Sequence, residues 1–529
     1  KADDLLTGRR VDTAHPVRLA PGEVLFLRAC GATDPSAPHL PGPSSAAADF
    51  HWSYPHDTRR EVVATAAGTL AFTAPAPFRG ALVDPRTGET LVAFRSGVDP
   101  VAKTYAAVVV VPPYAGDGTA CRALTVDFTV FDARETRRTA SLLLIPPPGD
   151  AARVRTALSG EAVRTAPLMR TILSNGAGAA AQVRLGWGEI ASQYDAFLAA
   201  NPDANCPSDR LNVWTRTRCW VQHEGYVREV DACCLTRFDA DPEGRVARWR
   251  FRVPCGMGKT VDLDFELALA QGFNAARLKV ARLAAAPDDV AGRVRLVFRP
   301  DLEWRSFHAT TKAYTGPETL FPASCTVTEN GVDFHPYEAT LALSVEGGVY
   351  HHEPQWTYNV PHAEEAARGQ DGAGDVFSPG WISADLAAGE SVALVGEVTG
   401  TGPVRGAQPL RWGAASYEPS GLLPLEPALR RAMELFIVKR DDLKTVIAGY
   451  PWFLDWGRDT FIFMRGMIAA GMWTDALAIL RAFAAFEEKG TLPNIIYGQT
   501  AGNRDTSDAP LFFVQRSEEH TSELQSPDH

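Results

Sequence analysis

The chain has 529 residues, of which 45% are hydrophobic and 22% charged, and its formal net charge is −11. This length exceeds one ordinary core and points to roughly two to four domains, and the composition is that of a folded globular protein. An acidic balance without clustered Lys and Arg excludes nucleic acid as a partner. The longest apolar run, Ala106–Val111, is too short to cross a bilayer, so no membrane partner is expected. The eight cysteines are scattered without a CxxC pair, a usage that predicts reduced, buried thiols and a cytoplasmic location. The first residues, Lys1–Leu6, lack the apolar core of a leader peptide, although the absent initiator Met leaves room for one upstream.

From residue 1 to about 150, short strand-like runs alternate with Pro- and Gly-rich turns. Leu124–Phe131 alternates loosely at the strand period, and Thr139–Ile145 reads as a more buried strand closed by Pro146-Pro147-Pro148. A small β-sandwich of unknown role is predicted, with a surface loop at 35–47 and a domain boundary in the proline run 146–150. Over 151–415 the β character strengthens. Thr260–Leu269 alternates polar or small with apolar residues, and Arg250–Val253 and Arg293–Phe298 carry arginines on the outer face. A large antiparallel sandwich is predicted. One helix is expected inside it, Trp187–Leu198, because Ile190, Tyr194 and Phe197 recur at spacings of three and four.

Past Ser416 the period changes. Pro427 suits a first helical turn, followed by Leu429, Ala432, Met433, Phe436 and Ile437 at helical spacing. Gly449–Thr460 then concentrates four aromatics, two carboxylates, an arginine, two glycines and a proline into twelve residues, in a loop that opens the helix beginning near Phe461. Flat apolar faces beside the Arg458-Asp459 donor and acceptor suit a sugar ring. A further helix is expected from a Thr474 cap, with Ala476, Leu477, Leu480, Phe483 and Ala484 as its buried stripe and Gly490 as its stop. At Arg516 the apolar pattern of Pro510–Val514 gives way to a Ser/Glu-rich segment, 516–529, which reads as foreign sequence joined to an incomplete gene.

Gly449–Thr460, Leu492-Pro493-Asn494 and Asn503–Ala509, together with Glu365–Asp371 and Asp375–Gly380 upstream, resemble the glycogen debranching enzymes and their amylo-α-1,6-glucosidase domain. The resemblance covers roughly 151–515. It implies all-β sandwich domains followed by an incomplete all-α (α/α)6 toroid, whose first helices occupy 425–515. It also implies inverting hydrolysis of α-1,6-linked glucose at branch stubs of glycogen or limit dextrin, with α-glucan as partner and no cofactor or metal. Residue by residue, Arg458 and Asp459 match the pair that holds the terminal glucose, and Trp452 and Trp456 match pocket aromatics. Asn494 and Arg504 fall in the matched substrate-binding motifs. Asp508 matches the general acid, whereas the general base lies beyond Gln515, so this chain alone is expected to be inactive.

Each assignment competes with a plainer one. An Arg-Asp neighbour pair most often pins a loop, and most tryptophans are core, so only one of Trp452 and Trp456 is expected to face sugar. Asp508, Asp505 and Asp455 sit where helix caps and turn residues are common. A helix N-terminus also favours the charged carboxylate, whereas a general acid must hold its proton. His351-His352-Glu353 reads as structural, since neighbours on a strand point to opposite faces. Arg368, Asp371 and Asp375 belong to a Gly-rich loop that is either a solvated turn or a strap leaning over the site. Two other functions fit the residues: a glucoamylase-like exo-α-glucosidase and a non-catalytic α-glucan-binding protein.

Overall fold

The computed structural model describes residues 48–524 except 60–61, 66–67, 100–101, 103, 112–121, 133–134, 146–152, 242, 285–287, 405, 407, 414–420 and 506–507; of residues 1–47 it describes three short strands. The loop read at 35–47 and the proline run at 146–150 lie outside the described residues, as do Cys30 and Cys121. The chain divides into two compact units, Lys1–Pro147 and Pro148–His529.

In the first unit a four-stranded and a five-stranded sheet enclose one core. The register explains why a loosely alternating sequence suffices. Leu124, Val126, Phe128 and Val130 of the strand Arg122–Phe131 all point inward, where Phe128 meets Trp52 and Phe78 at centroid distances of 4.7 and 4.6 Å. On the paired strand Glu135–Ile145, Leu142 and Leu144 continue the same core.

The second unit carries a nine-stranded and an eight-stranded sheet built almost wholly from antiparallel neighbours, with one large core made by side chains of both. Strand Thr260–Leu269 buries Val261, Leu263, Phe265, Leu267 and Leu269 completely. Its outward Asp262 and Asp264 receive paired hydrogen bonds from Arg252 and Arg250 on the neighbouring strand, at 2.7–2.9 Å. The outer-face arginines therefore have cross-strand carboxylate partners.

Trp187–Leu198 is not a helix. Its first half is a turn-rich connection and Phe197 lies in the strand Ala196–Ala200. The apolar residues at helical spacing go to three different places: Ile190 packs with Val360 and Val376, Phe197 joins the main core, and Tyr194 sits on Phe307. The buried Asp195 carboxylate fixes the turn, accepting from Gln182, Arg184 and the backbone N–H groups of Ala191 and Ser192. Local hydrogen bonding of this kind outcompetes a helix.

After the sheets come four helices, Leu425–Glu434, Gly457–Ala469, Trp473–Ala484 and Asp508–Leu524. The first is shorter than its apolar spacing suggests: Leu429 and Ala432 are exposed, and Ile437 starts a strand, Ile437–Arg440, paired with Leu443–Val446. Thr474 lies inside its helix, where Met472 holds the cap position without a side-chain bond, and Ile479 rather than Ala484 completes the buried stripe. The last helix runs unbroken through Arg516 to Leu524. Phe461, Met464, Met467, Ile479 and Phe483 form the core between these helices. Among the described residues no helix is long and apolar enough to cross a membrane.

Candidate functional site: the Gly449–Thr460 loop and two helix starts

The loop is held from below by the β-sandwich. Arg210, 1% exposed, donates from Nη2 to the carbonyls of Pro451 and Phe453 at 2.7 and 3.2 Å. Its guanidinium lies over Phe307 and Tyr450, 4.5 and 5.2 Å from the ring centroids. The Tyr450 hydroxyl stands 3.3 Å from Ser174 Oγ, and burial pushes the phenol up from its ordinary value. The cavity between these groups measures about 10 Å³, enough for about one water molecule and far too small for a sugar. It is part of the loop's foundation.

The other end of the loop is tied down by Asp455. This side chain is fully buried and accepts from Arg440 Nε at 2.9 Å and Thr445 Oγ1 at 3.2 Å; burial raises its carboxyl above the usual range, against the pull of Arg440. Asp455-Trp456 then forms a short strand paired with Ile495–Tyr497, which pairs in turn with Thr500–Gly502. That small sheet, invisible in the local sequence pattern, brings the Leu492–Asn494 and Asn503–Asp508 motifs up against the loop.

The helix starts immediately beyond it. Gly457 N–H donates to the Asn494 carbonyl at 2.9 Å, and a Cβ at Gly457 would stand 2.5 Å from the Pro493 carbonyl oxygen. Only glycine permits this approach. The next two residues, Arg458 and Asp459, are exposed in the first helical turn. Arg458 Nε pairs with Asp508 Oδ2 at 2.6 Å, and Asp508 opens the last helix. The two starts therefore face one another, with both side chains about half open to solvent. Asp508 Oδ1 and the Oδ1 of the nearly buried Asn494 have no hydrogen-bond partner among the described residues.

The two tryptophans have different surroundings. Trp452 is half-buried, and the guanidinium carbons of Arg170 and Arg368 lie 5.7 and 5.6 Å from its ring centroid. Trp456 is also half-buried but packs edge-to-face on Phe453, centroids 5.4 Å apart, and Phe453 is 44% exposed. Phe453 was not singled out from the sequence, and only its exposure marks it. Arg504 is engaged elsewhere, donating to the carbonyls of Phe486 and Thr491 at 2.8 and 3.2 Å. Asp505 is an exposed turn residue whose N–H bonds the Asn503 side chain. Arg458, Asp459, Asp508 and Asn494 are thus brought together, while Trp452 and Arg504 are held by their own local partners.

His351 and His352 bond Ser383 and Tyr350 respectively. Among the described residues no group of three or more His, Cys, Asp and Glu side chains is arranged to hold a metal.

Two family descriptions match this architecture, glycogen debranching enzyme N terminal over residues 170–393 and amylo-alpha-1,6-glucosidase over residues 431–527. The chain belongs to the glycogen debranching enzyme family. The first debranching-enzyme match begins at Arg170, one of the two arginines on Trp452, and includes the other, Arg368. The second spans the loop, the starts of the last three helices and all seven sugar- and acid-site candidates, and it continues past Arg516 to residue 527. No curated protein matches the chain significantly by sequence. Among solved structures, a bacterial glucoamylase complexed with acarbose is similar at 10% identity and a TM-score of 0.37, over 68% of this chain and 56% of that one. A Ca²⁺-stabilised adhesin of an Antarctic bacterium aligns at 13% identity and a TM-score of 0.10, over 65% of this chain and 96% of that one. The chain spans little more than half the length of the glucoamylase, and at these scores neither likeness says anything of mechanism.

Proposed function

We propose that this debranching-family chain serves the hydrolysis of α-1,6-linked glucose at branch stubs of glycogen or limit dextrin, in the cytoplasm, without cofactor. The observation that carries the reading is the Arg458–Asp508 pair at two facing helix starts, with Asp459 beside it. Arg458 spends Nε on Asp508, which leaves its four terminal N–H donors for sugar hydroxyls. Asp459 supplies acceptors, and Trp456 with Phe453 offers the apolar face that a pyranose ring needs. Asn494 lies behind this rim, where its backbone carbonyl fixes the Gly457 N–H and so the helix start that presents Arg458 and Asp459, and Arg504 shapes the 486–491 turn rather than touching sugar.

Asp508 would act as general acid. As the C1–O6 bond breaks, the leaving oxygen takes the Asp508 proton; water adds to C1 from the opposite face and gives its proton to a general base, so the anomeric centre inverts. Two such carboxyls stand roughly 6.5–9.5 Å apart in inverting enzymes. Asp455 cannot be the base, because it is fully buried in its pair with Arg440. We assign residues 151–415 to the family's β domain, 425–515 to the opening helices of an (α/α)6 toroid, and the base to a later part of such a toroid.

The 529-residue chain should therefore bind glucose and branched oligosaccharides without hydrolysing them. Isothermal titration with isomaltose, panose and maltose, alongside a glucose-release assay on limit dextrin, tests this. Release of glucose would refute the inactivity, and preference for maltose would replace the α-1,6 reading by an exo-α-1,4-glucosidase.

A further inference from the structure

Arg368 sits on a β-domain strap that is anchored far more firmly than an exposed turn requires. The short helix Ala363–Ala366 presents two consecutive glutamates inward. Glu364 accepts from Arg170 at 3.1 Å and Arg184 at 2.7 Å, and Arg184 is itself clamped by Asp195. Glu365, fully buried, accepts from Ser192 Oγ at 2.8 Å and the Gln193 N–H at 3.0 Å. Beyond the turn, Asp371 holds Thr310 and Lys312 at 3.0 Å, and Asp375 holds the N–H groups of Ala313 and Asn359 at 2.8 Å. Between these anchors Arg368 is exposed, with its guanidinium 5.6 Å from the Trp452 centroid.

Trp452 already has one cation on it, Arg170, which is neutralised by Glu364. A second guanidinium on the same indole gains little at an exposed site, a small return for holding a long side chain in place. The Arg368 guanidinium, unlike the backbone N–H that bonds the Glu365 carbonyl, donates no hydrogen bond to a described residue, so its five N–H groups are open to a ligand. Three residues further along the same loop come Asp455-Trp456, followed by the glucose-holding pair.

From this juxtaposition we infer that Arg368 is a specificity-determining residue of the site, with Trp452 as its platform, and that it binds hydroxyls of the glucan main chain that carries the branch. The inference rests on the proposed sugar site. It gives the β domain a part in choosing substrate: Arg458 and Asp459 hold the terminal glucose, while Arg368 reads the neutral polyol beyond it. Trp452 is then the floor of a neighbouring subsite.

The test is isothermal titration of the purified 529-residue chain with glucose and with a maltotetraose bearing one α-1,6-glucosyl stub, repeated on Arg368→Ala, Arg368→Lys and Arg458→Ala. Loss of one charge-assisted contact weakens binding about tenfold. Arg368→Ala is expected to show that loss for the branched ligand and less than about twofold change for glucose, with Arg368→Lys between it and the unsubstituted chain. Arg458→Ala should weaken both ligands. Equal losses for both ligands in Arg368→Ala, or no loss for either, would overturn the role of Arg368 while leaving the glucose site standing. If the unsubstituted chain binds neither ligand, the sugar site itself is refuted and this inference with it.

Discussion

Arg458 Nε and Asp508 Oδ2 meet at 2.6 Å and bridge the first turns of two helices that are far apart in sequence. One guanidinium therefore touches the residue proposed to deliver the proton and stands beside the one proposed to hold the sugar.

Separating these duties gives the first prediction. Arg458→Ala should lower affinity for glucose about tenfold or more, the loss of a charge-assisted donor set. Asp508→Asn should leave affinity within about threefold, since Asn keeps an acceptor. Neither should change stability by more than about 1 kcal/mol, because the pair is solvent-exposed. Titration calorimetry and urea unfolding read the two effects independently.

The loop depends on a buried cation. Arg210→Met preserves much of the volume but leaves the Pro451 and Phe453 carbonyls without their donor. The expected cost is about 2–4 kcal/mol in the unfolding of the second unit, together with weaker glucose binding as the loop loosens. Unchanged unfolding would show that the β-sandwich does not position the loop.

Gly457→Ala probes the helix start. The added Cβ would lie 2.5 Å from the Pro493 carbonyl oxygen, a backbone atom that cannot swing aside. Destabilisation of about 1–3 kcal/mol is expected, contrary to the gain Ala usually brings inside a helix, and Arg458 should be displaced with the backbone. Thermal unfolding and glucose titration check both.

Glu364 gives a pH dependence of known sign. Burial pushes its carboxyl up, but the hydrogen bond from Arg184 and the charges of Arg184, Arg170 and Arg368 outweigh it, leaving it below the ordinary glutamate value. A carboxyl lowered by folding adds stability above its unfolded value of about 4.3 and loses it as pH falls through the folded value. Glu364→Gln should therefore be less stable than the unsubstituted chain at pH 7 by about 1–3 kcal/mol, and the difference should shrink below about pH 4. Urea titrations at pH 7, 5, 4 and 3.5 measure it; a difference that does not narrow between pH 5 and 3.5 contradicts the network.

Local sequence determined much of this protein. Period-two alternation in Thr260–Leu269 made a strand, because a sheet has two faces and one is buried. The dense Gly449–Thr460 cluster and the family motifs around Asn494 and Asp508 mark the proposed sugar site in the local sequence alone. Spacing failed where long-range partners decided the outcome. Trp187–Leu198 has helical spacing but becomes a turn and a strand, since Asp195 gathers donors from the neighbouring strand Ala180–Arg184 and its own loop. The helix Leu425–Glu434 stops early because Val438 and Ile437 find better burial in a hairpin and its surroundings.

Within the site, the family resemblance named seven residues, and tertiary contacts alone separated their surroundings. Asp455 and Asp459 are both acids of one loop, yet one is sealed against Arg440 and the other is exposed. Trp452 and Trp456 are four positions apart, yet one lies beneath two β-domain arginines and the other packs on an exposed phenylalanine. Hydrophobic period and turn chemistry are local and can be read along the chain. Which carboxylate meets which guanidinium depends on what the folded sheets bring within 3 Å, and Arg210, Arg170 and Glu364 were legible only there.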